Sequence, residues 1–249
     1  MSELTELDHT KHSDLHVIKN SQINFSATQH LLNIRVTEVG QMVCSLPVFL
    51  TKDPQHGLWR LSAVTSFALG HNLLVQNDRW MAPYQPSYIQ TYPFYLMNSP
   101  REEKTYTIGI DESSEVFSTE DGEALFDNSG KGTEFLSRIK TMLEADIENN
   151  INTYKFGKEM DALGLCKPIN LLISYADNTT QKITGLTTID EDKLQYLTAE
   201  NLFELNKKGY LTPIHGMLIS MLQLNGLIQK NNNIEALPKI KNIKLEVTK

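Results

Sequence analysis

Apolar positions along this chain change their spacing near its middle, and the change predicts two halves of different character. In the first half the apolar runs are short and alternate. Trp59, Leu61 and Ala63 interleave with Arg60 and Ser62, the period of two that a half-buried strand requires. Residues 48–50 and 58–67 therefore read as two strands, and the polar stretch 51–57 between them carries the turn residues Asp53-Pro54 and His56-Gly57. Further short strands are expected at 15–18, within 25–36 (Leu31, Leu32, Ile34, Val36), at 73–75, and at 104–110, where Tyr106, Ile108 and Ile110 share a face. A short helix is expected over 37–43 with Thr37 as its N-cap.

From Thr133 onward the period becomes helical. Phe135, Leu136, Ile139, Met142, Leu143 and Ile147 recur at 3.6-residue spacing behind Thr133 as N-cap, and Ile151, Tyr154, Phe156, Met160 and Leu163 continue the pattern to a terminating Gly164. Asn149-Asn150 marks a bend or a break between two helices. Residues 169–175 and 182–188 then form a hairpin around 176–180. Asp190 suits an N-cap with Glu191 and Asp192 in the first turn. Helices follow at 198–207 and 211–229, the latter with Ile214, Met217, Leu218, Met221, Leu224 and Ile228 inward, and 230–233 reads as a linker. Ile243, Leu245 and Val247 alternate, so the tail adds a last strand or packs on a partner. The expected class is α+β: a β-rich N-terminal half of several short, mainly antiparallel strands, and a helical C-terminal half containing one β-hairpin. Residues 12–230 form one globular domain, or two lobes at 12–130 and 131–230, with a flexible lead over 1–11 and a tail over 231–249.

Charge narrows the function. The formal net charge of −7 argues against a nucleic-acid binder held by phosphate contacts, which needs a basic face. No apolar run approaches the roughly 18–20 residues of a membrane span. The polar start MSELTELDHTKHSD lacks a signal-peptide core. The expected location is therefore the cytoplasm, with surface association only through another exporter or a bound partner. Cys44 and Cys166 are far apart and read as buried free thiols.

Candidate chemistry centres on residues 80–94, where Trp80, Tyr84, Tyr88, Tyr92 and Phe94 are spaced by Pro83, Pro86 and Pro93. Rings and prolines offer apolar area at low ordering cost, so these five are the candidate ligand-binding residues; the competing reading puts them in the core. Pro86 fits the first turn of a helix at 87–92, which Pro93 ends. His71, Asp78, Asp111 and Glu112 are the candidate catalytic constellation, and no spacing supports a triad or a metal triad, so no catalytic residue is assigned. His9, His12 and His16 would bind metal only on one helical face, which a strand at 15–18 breaks. Asp111, Glu112 and Asp127 lack the spacing of a calcium loop and read as turn and cap residues. Glu38 reads as a first-turn carboxylate, with acid–base work the alternative. His215, alone on an apolar helix, reads as a core or interface histidine. Gly130-Lys131-Gly132-Thr133 lacks the upstream glycine of a phosphate loop. No metal and no cofactor is expected.

Several segments resemble the SapC family of bacterial proteins, which shares only its name with a transporter permease. Leu46-Pro47-Val48-Phe49 followed by Lys52-Asp53 resembles the family's yPivF. Residues 69–73 (LGHNL) resemble lGl..geNLF, Trp80 with Tyr84-Gln85-Pro86 resembles W...YvPa, and Tyr92-Pro93-Phe94 resembles the end of RRyPF. The opening H.DLrV is met by residues 12–17, IDe.s by Ile110-Asp111-Glu112, and G...vDe.kL..L by Gly185, Asp190-Glu191, Leu194 and Leu197. His71 replaces the family's acidic residue, and Gln90-Thr91 its basic pair, so a charged site at those positions is altered here. The resemblance spans about residues 12–230. It implies a link with bacterial surface layers and, for some members, company with flavin-dependent halogenases and cupin-like oxygenases. The expected function is a non-catalytic soluble accessory protein that binds a peptide, polymer or protein partner through the aromatic surface; a homodimer is compatible with the sequence. The alternative is an enzyme or enzyme subunit with a His/Asp site, linked to oxygenase or halogenase tailoring of peptides.

Overall fold

A computed structural model describes residues 4–53, 56–100 and 105–248. Pro54 and Lys104, placed above in a turn and at a strand start, lie outside them. The chain opens with β1 (Thr5–Glu6), α1 (His9–His12), β2 (His16–Val17) and α2 (Ser21–Ala27). Next come β3 (Leu31–Ile34), a 3-10 turn (Val36–Glu38), α3 (Val39–Met42), β4 (Val48–Lys52), β5 (Trp59–Val64), β6 (Val75–Gln76) and β7 (Arg79–Trp80). Then follow α4 (Ser87–Gln90), β8 (Tyr95–Asn98), β9 (Tyr106–Ile110), β10 (Phe117–Ser118), β11 (Glu123–Ala124) and the long α5 (Glu134–Ala162). The chain finishes with β12 (Cys166–Tyr175), β13 (Thr180–Ile189), α6 (Glu191–Gln195), α7 (Ala199–Lys207), α8 (Leu211–Ser220), α9 (Gln223–Asn233) and β14 (Ile240–Val247). The class is α+β, with antiparallel sheets dominating the N-terminal half and a helical C-terminal half that carries the β12–β13 hairpin.

Contacts divide the chain into two compact units, Met1–Ser26 with Ser87–Glu148, and Ala27–Pro86 with Asn149–Lys249. The second unit is built on a six-stranded sheet in the order β14-β12-β13-β4-β5-β3. The hairpin is thus joined to the early strands through β13 and β4, which pair at Thr187 and Leu50. Leu50, Leu61, Leu171, Ile173, Phe156, Ile214 and Met217 are fully buried in its core. The first unit has two three-stranded sheets, β1-β9-β8 and β10-β2-β11, around a smaller cluster that includes Val17, Phe94, Ile110, Leu125 and Leu143. Of the lead over 1–11, the described part carries β1 and the start of α1, whose N-cap Asp8 accepts from the Thr10 N–H at 2.8 Å.

Caps and stops fall where local chemistry places them. Thr133 Oγ1 accepts from the Leu136 N–H, Asp190 from that of Lys193, and Thr198 from that of Asn201. Gly164 takes φ +68°, which lets the Leu165 N–H reach back to the Met160 carbonyl at 2.9 Å.

Other expectations are corrected. Thr37 is not an N-cap: the helical segment is capped two residues earlier, at Arg35, and the Glu38 carboxylate accepts from the Arg35 N–H at 2.6 Å. Asn149-Asn150 does not break α5, which runs on with Thr153 and Gly157 on its buried side, while Ile151 and Tyr154 are exposed. Gly157 is required by proximity, since a Cβ there would stand 2.4 Å from that of Trp59. The helix expected at 211–229 is two helices bent by 44°. Ser220 sits at the bend; its buried hydroxyl donates to the Met217 carbonyl at 2.6 Å and accepts from the Val48 N–H at 3.0 Å. Residues 230–233 are no linker but the end of α9, where Asn231 bonds the Pro238 carbonyl and Asn232 the Ile240 backbone. Cys44 is exposed rather than buried, in the turn that follows α3, and His215 is exposed on α8, which removes the core reading and leaves the interface one. No single described helix is long and apolar enough to cross a membrane; α8 and α9 pass that test only as a bent pair, and Ile214, Met217, Leu224 and Leu227 on them are buried.

Candidate functional sites

The aromatic segment falls into two sets, one in each unit. In the larger unit Trp80 is half-buried and its indole N–H donates to the Tyr84 carbonyl at 2.8 Å. The Tyr84 hydroxyl donates to Glu38 Oε1 at 2.7 Å. Glu38 is 5% exposed, and its other oxygen holds the Arg35 N–H, so this carboxylate ties a turn to a ring. In the smaller unit Tyr92 stacks on Phe25 at 3.9 Å between ring centres, and Tyr88 meets the same ring edge-on at 5.8 Å. Burial raises the pKa of the neighbouring Tyr95 phenol, with Tyr88, Tyr92 and Asp111 adding to the effect. Phe94 is withdrawn from the surface altogether: it is 1% exposed, with Phe117 and Phe135 edge-on to it.

The four polar candidates occupy turns. Asn77 and Asp78 have φ of 49° and 55° and form the two-residue loop between β6 and β7, the positive-φ pair that matches a hairpin's twist. His71 follows Gly70 at φ +73° and is exposed, as is Asp78. Asp111 accepts from the Ser113 N–H and hydroxyl at 3.0 and 2.6 Å. Glu112 does more. Its Oε1 lies 2.7 Å from Nε2 of the buried His12, whose Nδ1 accepts from the Asp8 N–H at 2.9 Å. With Nδ1 accepting, the proton sits on Nε2 and is donated to Glu112. His12 thereby fastens the chain's start to the turn after β9. His9 stands edge-on to Phe126, and His16 lies in β2. Among the described residues no three His, Cys, Asp or Glu side chains are grouped to hold a metal. Asp127 accepts from the backbone of Ser129 and Lys131 and from the Ser129 hydroxyl, and these bonds hold its carboxyl below the usual range.

Two concavities went unseen in the sequence. In the smaller unit a groove of ≈ 610 Å³ lies between the β8–β9 face and the first half of α5. Leu96, Ile108, Phe126, Leu136, Leu143 and Ile147 make it apolar, and Lys131 and Lys140 stand among its polar residues. Where β1 gives out, the Leu7 N–H makes a last bond to the Ile108 carbonyl at 2.8 Å. Tyr106, two residues back on β9, turns its N–H and C=O to the same side. Among the described residues nothing pairs with it there. In the larger unit a second hollow of ≈ 360 Å³ opens on the sheet. It contains Asp53, 7% exposed and 2.6 Å from the Arg60 guanidinium, and His30, whose pKa burial lowers. Neither concavity has a signal in spacing, because each is assembled from segments far apart in sequence.

Comparison with known proteins gives one family. The SapC family model matches residues 7–227. No curated protein and no solved structure matches this chain.

Proposed function

The chain belongs to the SapC family, and from that footing we propose that it is a non-catalytic binding protein that receives an extended, apolar segment of a peptide or protein partner in the groove between β9 and α5. The observation that carries this reading is Tyr106 of β9, whose backbone groups toward β1 meet no partner among the described residues, beside an apolar groove. An extended peptide laid along that edge continues the ladder that β1 begins, and places alternate side chains in the groove. Main-chain bonds supply affinity and the groove selects the residues. Lys131 and Lys140 favour an acidic group on the incoming segment; Lys140 already lies 3.8 Å from Glu144, an exposed pair of little worth that a ligand carboxylate displaces readily. This reading places the binding surface in the groove beside β9 instead of at the rings of 80–94, of which Phe94 is buried and Trp80, Tyr84, Tyr88 and Tyr92 are half-buried.

Fluorescence polarisation with labelled extended peptides, apolar with one acidic residue, tests the reading. Ser137→Arg places a long side chain from the exposed side of α5 into the groove and is expected to weaken binding ~10-fold or more. Tyr84→Phe, in the other unit, is expected to leave it unchanged. Equal binding by Ser137→Arg, or turnover of a small metabolite with no peptide bound, overturns the proposal.

A further inference from the structure

The outermost strand of the six-stranded sheet is β14. Asn242, Lys244 and Glu246 face their backbone groups toward β12, in phase with Thr248, whose N–H bonds the Pro168 carbonyl at 3.0 Å. Antiparallel geometry then directs the N–H and C=O of Ile243, Leu245 and Val247 outward. Among the described residues no backbone group meets them. Their side chains continue the core face of the sheet: opposite them on β12 stand Ile173, Leu171 and Ile169, each 3% exposed or less. Yet Leu245 is 46% and Val247 62% exposed. The apolar face of the sheet therefore extends beyond what covers it, along an edge with free hydrogen-bonding groups.

We propose that a second copy of this chain pairs here, β14 against β14, joining two six-stranded sheets into one. A two-fold axis normal to the sheet sets each residue opposite one of the same face, so the axis passes through a residue. Centred on Lys244 it would oppose lysine to lysine. Centred on Ile243 it would oppose Lys244 to Asn242 and leave Glu246 without a cation across the seam. Centred on Leu245 it sets Lys244 against the partner's Glu246 twice. That register also sets Ile243 against the partner's Val247 twice and Leu245 against itself. Over residues 243–247 it puts apolar pairs on the core face and ion pairs on the other, and each outward-facing residue among them exchanges its N–H and C=O with the partner. Glu246 already lies 3.5 Å from Lys182, and its second oxygen takes the partner's lysine. Lys241 and Lys244 are the edge charges that discourage indiscriminate strand addition; the complementary register turns one of them to use. An extended strand from another protein is the other possible occupant, but nothing selects its charge, whereas β14 matches itself.

Sedimentation equilibrium of the full chain over the micromolar to millimolar range tests this. A monomer–dimer equilibrium is expected. Lys244→Glu and Glu246→Lys, each alone, set like charges opposite one another twice and are expected to weaken the dimer ~10-fold. An equimolar mixture of the two restores it, since every opposed pair is then complementary. Leu245→Pro removes a donor that points outward, leaves the ladder to β12 intact and abolishes the dimer. A chain monomeric throughout, or a dimer that neither the charge reversals nor Leu245→Pro weaken, overturns the proposal.

Discussion

In the unit Ala27–Pro86 with Asn149–Lys249, strands from both ends of the chain run side by side, and large side chains such as Phe49, Leu61 and Ile214 are wholly buried. In the unit Met1–Ser26 with Ser87–Glu148, the sheets are of two- to five-residue strands around a smaller buried cluster. Asp8, Asp111 and Asp127 bond nearby backbone there, and His12 bonds Glu112 across 100 positions. Both units combine a packed core with local side-chain bonds, but the core of the smaller unit is the lesser. Its short strands leave space, and the apolar groove is where that space lies. A scaffold and a binding element make opposite demands, because a fully packed core has no room for a ligand.

The sharpest break of this comparison is Phe49→Ala. It should cost about 3–5 kcal/mol in chemical denaturation, with the larger unit losing its cooperative transition. Phe94→Ala should instead raise hydrogen exchange in β8 and β9 while β4 and β5 stay protected; a uniform loss in both units would erase the distinction. Gly157→Ala comes next, at about 1–3 kcal/mol, because the added methyl meets Trp59 and α5 must shift.

Acidity separates the units more gently. His30 has a lowered pKa in the folded larger unit because burial disfavours its charged form. The unfolded chain therefore takes up the proton first as pH falls below the ordinary histidine value. Stability is lost on acidification through that range, and His30→Gln should flatten the denaturation midpoint there. Asp127 in the smaller unit is held low by its hydrogen bonds. Its contribution is present above the ordinary carboxylate pKa and is lost as pH falls through the depressed one, so Asp127→Ala should lower the melting temperature at neutral pH and much less in strong acid. The smallest effect is chemical. Burial, with Asp161 nearby, pushes the Cys166 thiol up to about 11, so iodoacetamide at mild alkaline pH should label exposed Cys44 well before Cys166.

Much of this architecture is local and could be read from residues in order. Alternation marked β5, short β-rich runs marked β4, β12 and β13, and Thr133, Asp190, Thr198 and Gly164 marked helix ends, because a cap needs only its own turn. The kink beside Ser220 was hidden, and the Ser220 hydroxyl there accepts from the Val48 N–H, 172 residues away. The aromatic segment drew attention by composition, yet composition does not say which way a ring points: Phe94 points inward, while Tyr106, a lone ring on a short strand, is exposed.

The amino-acid order by itself determined the α+β class, the main strands and helices, the turn or cap roles of Asp111, Asp127 and Asp190, and membership of the SapC family. Each depends on neighbours within a few positions, or on motifs kept in sequence. Tertiary structure alone decided that β13 joins β4, that β14 ends a sheet with its edge open, and that a groove lies beside β9. Those outcomes depend on which distant apolar faces cover one another, and on which of them remain uncovered among the described residues.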